Sequence, residues 1–261
     1  MDLKDLAGDL SLALNRSEFM RSLGHSPDEW QEMFLESEAK RVLLNCARQS
    51  GKSTVTAILA LHEAVYKAGS LILLVSPSLR QSLELYGKVV EYYIKLGSNP
   101  NDDALASALK LANGSRIVSL PSSEKTIRGY SGVDLIICDE SARIPDVLHD
   151  AITPMLAVSD GRLVMLSTPF GQRGVFHDLW VNSDEYQKFK VTAYDCPRIS
   201  HEFLELEKKT SPSNKFRQEY LCEFIQTDDA LFAYDDIMGL LSDNVKPLFG
   251  EDHEIYNKSR N

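Results

Sequence analysis

Residues 42–54 read Val42-Leu43-Leu44-Asn45-Cys46-Ala47-Arg48-Gln49-Ser50-Gly51-Lys52-Ser53-Thr54, and a helix-like segment follows. The order strand, tight loop, Gly-Lys-Ser and helix is what a phosphate-binding loop requires, because backbone N–H groups and a helix N-terminus favour an anion. Gly51 lets the backbone approach the phosphates, Lys52 is placed to reach their β- and γ-oxygens, and the Ser53 hydroxyl is a predicted Mg2+ ligand. We therefore predict a nucleotide-binding segment made of Arg48, Gln49, Ser50, Gly51, Lys52, Ser53 and Thr54.

Two features of this loop leave alternatives open. Cys46 stands where the pattern G-x-x-x-x-G-K-[ST] has its first glycine, so the loop alone is compatible with a chance Gly-Lys-Ser at a helix start. Arg48 is a candidate for contact with the γ-phosphate, and its alternative is a solvated loop arginine.

The residues around the loop alternate between apolar runs and helix-like segments, a pattern that predicts a parallel sheet covered by helices on both faces. Helices are predicted at 52–68, 78–96, 145–157, 173–182, 201–209 and 213–224. Asn113-Gly114 is a hairpin signal that predicts an antiparallel pair at one sheet edge. The predicted strands are Val42–Cys46, Leu71–Ser76, Ile117–Leu120, Leu135–Cys138, Leu163–Ser167 and Phe189–Ala193.

Two carboxylates follow a run of four apolar residues, at Asp139 and Glu140. A buried strand delivers such residues to its carboxyl end, which is where ligands bind in open α/β sheets. Asp139 is the predicted Mg2+ ligand, and Glu140 is predicted to orient or deprotonate the water that attacks the γ-phosphate. The alternative is a pair of acids that only caps a strand. Thr168, in Ser167-Thr168-Pro169, is a candidate sensor of the γ-phosphate or part of an ordinary turn.

Two arginines are candidates for stabilising transition-state charge, in their own site or in a neighbour's. Arg128 lies in the segment Thr126-Ile127-Arg128-Gly129-Tyr130, and Arg116 follows the hairpin signal. The sequence does not choose between them, and an ordinary surface arginine is the alternative for each.

The composition is that of an intracellular globular protein. The 261 residues carry a net charge of −10, which argues against a freely acting nucleic-acid binder, although a few local basic residues can still contact DNA. Four scattered cysteines form no CxxC pair, so neither a disulfide framework nor a zinc site is expected. Neither a secretory signal nor a membrane-spanning run is predicted.

Taken together, the motifs resemble the ATPase domain of the large terminase subunit of tailed bacteriophages. The resemblance covers most of residues 27–235, and in that family the missing first glycine is normal. It implies an α/β P-loop NTPase of the ASCE (RecA-like) type, with a mostly parallel sheet and a small helical lid. The motifs are Trp30-Gln31, Ala47–Ser53, Ser76-Pro77-Ser78, Ile127-Arg128-Gly129, Ile137–Glu140, Ser167-Thr168-Pro169 and Phe216-Arg217-Gln218-Glu219-Tyr220.

The resemblance also implies a division of the chain and a set of partners. Residues 1–37 and 199–261 would form the lid, around an ATPase core at 38–198. Gln31 would contact adenine, with an exposed helix glutamine as the alternative. ATP and Mg2+ are the expected cofactors. The expected partners are double-stranded viral DNA, the portal protein, the small terminase subunit and further copies in a ring of five, docked on a procapsid in the host cytoplasm.

Family members continue into a nuclease domain, for which the chain leaves no room after residue 261, so ATPase activity without DNA cleavage is expected. Two other functions remain to be separated from a packaging motor. One is a helicase-like DNA-dependent translocating ATPase, which normally needs a second motor domain. The other is a catalytically silent nucleotide-binding scaffold, which would not need Glu140.

Overall fold

The computed structural model describes residues 3–98, 104–123, 127 and 129–226. Met1–Ile225 forms one compact unit. The helices of the described part are α1 (Leu3–Leu14), α2 (Arg16–Ser22), α3 (Glu29–Glu36), α4 (Lys52–Tyr66), α5 (Leu79–Lys95), α6 (Asp146–Ile152), α7 (Gly174–Asn182), α8 (His201–Thr210) and α9 (Ser213–Leu221). Its strands are β1 (Arg41–Cys46), β2 (Leu71–Ser76), β3 (Ala104–Leu105), β4 (Ala108–Lys110), β5 (Arg116–Pro121), β6 (Leu135–Asp139), β7 (Arg162–Ser167) and β8 (Gln187–Val191).

These strands form one sheet in the order β3-β4-β5-β2-β6-β7-β1-β8. In this sheet order, each neighbouring pair in the run β5-β2-β6-β7-β1-β8 is parallel. At the edge, β4 pairs antiparallel with β5, as the Asn113-Gly114 signal predicts. The predicted α/β class with a mostly parallel sheet is confirmed.

Alternate residues along each central strand enter two different apolar layers, which explains why the strands read as unbroken apolar runs. On β1, Val42 and Leu44 pack beneath α4, α5 and the N-terminal helices. Leu43 faces the other way, into a layer that includes residues of α6 and α7 such as Leu148 and Phe176. Helices therefore cover both faces of the sheet, and the strand ends alone are left for a site.

Several predicted boundaries shift, and two of these shifts have a clear local reason. β8 ends at Val191, two residues earlier than predicted, because Ala193 begins a short 3-10 turn. α9 ends at Leu221 and not at residue 224, because Cys222 takes a left-handed conformation with φ 56°.

All four cysteines are free and buried, as expected of small apolar side chains. Burial raises the pKa of Cys138 to about 12, which keeps that thiol protonated. Within the described ranges no helix is long and apolar enough to cross a membrane.

Candidate nucleotide-binding and catalytic site

The loop between β1 and α4 brings its functional groups to the carboxyl edge of the sheet. Gly51 caps α4 with φ 89°, a left-handed conformation that glycine adopts without strain. Lys52, Ser53 and Thr54 then form the first turn of α4, so their backbone N–H groups lie at the positive end of the helix. The predicted strand–loop–helix arrangement is present.

Asp139 is the last residue of β6, and Glu140 follows directly in a left-handed conformation with φ 51° and ψ 42°. Its backbone N–H donates to Asp139 Oδ1 at 2.9 Å. Glu140 Oε1 lies 3.7 Å from Lys52 Nζ, so the structure brings the predicted lysine and glutamate together. A non-glycine residue in this conformation costs about 1–2 kcal/mol, which its surroundings must offset.

Strand order explains why these groups meet although 87 residues separate Lys52 from Asp139 in sequence. β7 lies between β1 and β6, pairing Asn45 with Ser167 and Leu166 with Asp139. Thr168, which is buried, therefore follows β7 between the loop and the acidic pair.

Asp139 is nine-tenths buried, and this burial raises the pKa of its carboxyl group to about 6, against the opposing charge of Lys52. A buried carboxylate with too little compensating charge is a suitable ligand for a cation. Among the described residues there is no cluster of three or more His, Cys, Asp or Glu side chains that could hold a metal. The donors fit Mg2+, which is typically held by one or two carboxylates, waters and substrate phosphates. Ser53 and Asp139 are the residues that would hold it.

Lys52, Ser53 and Glu140 line a cleft of about 1280 Å3. Its wall includes cationic side chains that were not predicted from the sequence, namely Lys88, Arg143 and Arg198. Lys88 Nζ lies 3.4 Å from Thr54 Oγ1. Five cations and two acids therefore face this space, which suits a polyanionic ligand: Arg48, Lys52, Lys88, Arg143 and Arg198 with Glu84 and Glu140.

Gln31 is buried, so its alternative as an exposed helix glutamine is wrong. Its Oε1 accepts a hydrogen bond from the backbone N–H of Asp28 at 3.0 Å, at the start of α3. Its Nε2 lies against Gly51, where an added Cβ atom would approach it to 2.7 Å. Gln31 is thus packed on the phosphate-binding loop, and its contact with adenine stays a prediction.

Arg48 is ion-paired, through Nε and Nη2, with the carboxylate of Glu219 in α9. Its backbone N–H also donates to the Glu219 carbonyl at 3.3 Å. The Arg48 side chain is 61% exposed even with this partner, so the alternative of a solvated loop arginine stays open, and contact between Arg48 and a γ-phosphate stays a prediction. Glu219 lies inside the family motif at residues 216–220, so a signal for this partner was present in the sequence.

Of the two candidate arginines, only Arg116 belongs to the described residues, and it is not brought to the site. Arg116 begins β5 and pairs with Leu71 at the start of β2. It therefore lies at the sheet edge opposite the loop, roughly 17 Å away for a six-residue strand at about 3.3 Å per residue. The prediction of a role for Arg116 in its own site is wrong for this reason. Arg128 lies outside the described residues.

The sheet order and the phosphate-binding loop define a P-loop NTPase. Residues 43–238 match the family described as "Terminase large subunit, T4likevirus-type, N-terminal". The chain belongs to this family of phage large terminase subunits.

Individual relatives agree with this assignment. The chain is 28% identical to the large terminase subunit of Thermus phage G20c over 260 residues, covering 85% of the chain and 54% of that protein. It thus spans about half the length of the curated relatives it matches. The large terminase ATPase domain of Thermus phage P74-26 has 25% identity and a TM-score of 0.68, covering 80% of this chain and 98% of that one. The large terminase of a thermophilic bacteriophage, solved in complex with ADP, shares the fold with a TM-score of 0.62 at 13% identity, covering 76% and 53%.

Proposed function

We propose that this chain is an ATP-hydrolysing motor domain whose turnover drives double-stranded viral DNA into a procapsid. The observation that carries the proposal is the meeting of Lys52 and Glu140, with Nζ and Oε1 3.7 Å apart, beside the buried carboxylate of Asp139. A nucleotide-binding scaffold would need the lysine and the loop but not a glutamate held in a strained conformation at this place.

The geometry supports a division of labour among these residues. The backbone N–H groups at the start of α4 and the Lys52 ammonium bind the β- and γ-phosphates. Ser53 and Asp139 hold Mg2+, which supplies charge neutralisation at the phosphate oxygens when it is bound. Glu140 orients the attacking water and accepts its proton.

Other predicted roles belong to the same proposal. Thr168 senses the γ-phosphate from the end of β7, and Gln31 contacts the adenine from α3. Arg128 or Arg116 completes a neighbouring active site. The ADP bound to the relative from the thermophilic bacteriophage supports ATP as the ligand, and family membership favours a packaging motor over a helicase-like translocase. The expected partners are viral DNA, the portal, the small subunit and a ring of identical chains. The expected lack of DNA cleavage and the helical lid stay predictions.

The test is steady-state ATP hydrolysis measured over a range of protein concentrations. Wild type should hydrolyse ATP in Mg2+, with a rate per chain that climbs with concentration if a neighbour completes the site. Glu140→Gln should bind ATP normally and hydrolyse at least about 100-fold more slowly, in line with the roughly 10²–10⁴ typical of such groups. Lys52→Ala should lose nucleotide binding.

Comparable rates in wild type and Glu140→Gln would contradict the catalytic assignment. A rate per chain that stays flat would contradict completion by a neighbour and leave hydrolysis within one subunit. Nucleotide binding without hydrolysis at any concentration would support the scaffold alternative.

A further inference from the structure

Arg143 occupies a place in the cleft that none of the predicted roles explains. Its Nη1 lies 3.7 Å from Glu140 Oε2, and its guanidinium carbon lies 4.2 Å from the centre of the Phe170 ring. Arg143 Nη1 is buried and makes no hydrogen bond within the described residues. One face of this cation is thus fixed by an aromatic ring, while its edge is directed towards the predicted catalytic carboxylate.

Two hydrogen bonds fix the turn that carries Glu140 and Arg143. Ser141 Oγ donates to the Cys138 carbonyl at 2.6 Å, and the Arg143 N–H donates to the Glu140 carbonyl at 2.9 Å. The resulting tight turn places Arg143 three residues after Glu140 and on its carboxylate side. These bonds help to offset the strain of the left-handed Glu140 conformation.

Glu140 lies between two cations at equal distances. Its Oε1 is 3.7 Å from Lys52 Nζ and its Oε2 is 3.7 Å from Arg143 Nη1. Both separations exceed that of a direct hydrogen bond, so neither cation holds the carboxylate in a fixed fork. A nucleotide that engages Lys52 with its phosphates would leave Arg143 as the cation that remains with Glu140.

Phe170 extends the contact into the segment after β7. It follows Ser167-Thr168-Pro169, and Arg173 Cζ lies 5.6 Å from the centre of its ring. Arg173 directly precedes α7. The contact between Arg143 and Phe170 therefore joins two segments. One is the turn that carries Glu140, and the other runs from Thr168, the predicted γ-phosphate sensor, into α7.

We infer that Arg143 is a positioning residue, which holds the Glu140 carboxylate in its catalytic orientation when Lys52 is engaged by nucleotide phosphates. Its stacking on Phe170 fixes the guanidinium and ties this orientation to the segment 168–173. The inference rests on the proposed function, because it needs Glu140 to act on the attacking water. Arginine suits this role better than lysine, since its planar group can stack on a ring and approach a carboxylate at once.

The test compares ATP hydrolysis and nucleotide affinity in variants of the full chain. Arg143→Ala should lower kcat about 10- to 100-fold, the size of effect that misplacing a catalytic group produces, with KM and ATP affinity within about two-fold of wild type. Arg143→Lys, which keeps the charge and loses the stacking, should recover part of kcat. Phe170→Leu should give a smaller loss of kcat than Arg143→Ala.

A matched control is Arg21→Ala, because Arg21 is also paired with glutamates, Glu18 and Glu32, but lies on α2 outside the cleft. It should keep wild-type kcat. In a Glu140→Gln background, Arg143→Ala should cause no further loss, because the residue acts only through that carboxylate.

Three results would overturn the inference. The first is an unchanged kcat in Arg143→Ala. The second is a loss that falls on KM and ATP affinity, which would place Arg143 on the phosphates themselves. The third is an additive loss in the Glu140→Gln background. Failure of the proposed function is distinguishable, because wild type itself would then not hydrolyse ATP.

Discussion

Asp139 is a carboxyl group whose burial opposes its own charge, and this makes the stability of the protein depend on pH. Burial raises its pKa from 3.8 to about 6, so the ionised form is less stable in the folded protein than in the unfolded chain. Protonation of Asp139 therefore stabilises the folded protein relative to the unfolded chain. This stabilisation is fully present below about pH 4 and is lost as the pH rises through 6.

Asp139→Asn should remove this dependence, because the amide stays neutral while its Oδ1 can still accept the Glu140 N–H. In EDTA without nucleotide, its free energy of unfolding should exceed that of wild type by up to roughly 3 kcal/mol at about pH 8, since two pKa units correspond to about that much. The excess should shrink to almost nothing near about pH 3, where the carboxyl group of Asp139 is protonated in both the folded and the unfolded protein. Urea unfolding at both pH values measures it.

The exposed Asp178 gives the control, and Asp178→Asn should show no such pH-dependent gain. The same Asp139→Asn variant should lose hydrolysis, because an amide is a poor ligand for Mg2+. Equal stability of Asp139→Asn and wild type at the higher pH would show that the charge of Asp139 does not destabilise the folded protein.

At the scale of elements, the sequence predicted what depends on local patterns. Buried strands such as β2 and β6 are read from unbroken apolar runs, and the start of α4 from Gly51-Lys52. Contacts between distant residues carried no such signal. Arg198 binds Asp28 from 170 positions away, and nothing in the residues around either one indicates the other. Arg143 was missed for another reason: its proximity to Glu140 depends on the tight turn after β6.

The Asp28–Arg198 pair joins three parts of the site. The guanidinium donates to Asp28 Oδ1 and Oδ2 at 2.7 and 2.6 Å, and Nη2 also donates to the Ser50 carbonyl at 2.9 Å. Asp28 caps α3, which carries Gln31, and Ser50 belongs to the phosphate-binding loop. The pair therefore holds the N-terminal helices, the loop and the segment before α8 together.

Breaking this pair should weaken nucleotide binding more than catalysis. Arg198→Ala should raise KM for ATP several-fold, because the loop loses a contact that orders it, with a smaller effect on kcat. Its side chain is 48% exposed, so we expect an unfolding free energy lower by only about 1 kcal/mol. A double-mutant cycle with Asp28→Asn, which keeps the size of the side chain and removes its charge, should give a coupling energy above about 0.5 kcal/mol. Additive effects would show that the two residues act independently.

At the scale of the whole molecule, the net charge of −10 limits how the proposed motor could hold DNA. A motor must grip the phosphate backbone, yet one acidic chain can offer only a few local basic contacts. Assembly into a ring would add such contacts from several subunits around the same duplex. The charge is thus compatible with packaging, provided that binding is shared among copies.

We therefore expect the isolated chain to bind double-stranded DNA weakly and in a strongly salt-dependent manner. With about three phosphate contacts, the association constant should fall roughly 40-fold between about 50 and 200 mM salt, because each contact releases condensed counterions. Fluorescence anisotropy with a labelled duplex measures this slope, and a duplex of unrelated sequence is the control that should bind equally. Affinity that resists salt, or that depends on the sequence, would mean that the chain reads DNA by contacts other than the backbone, against a sequence-independent motor.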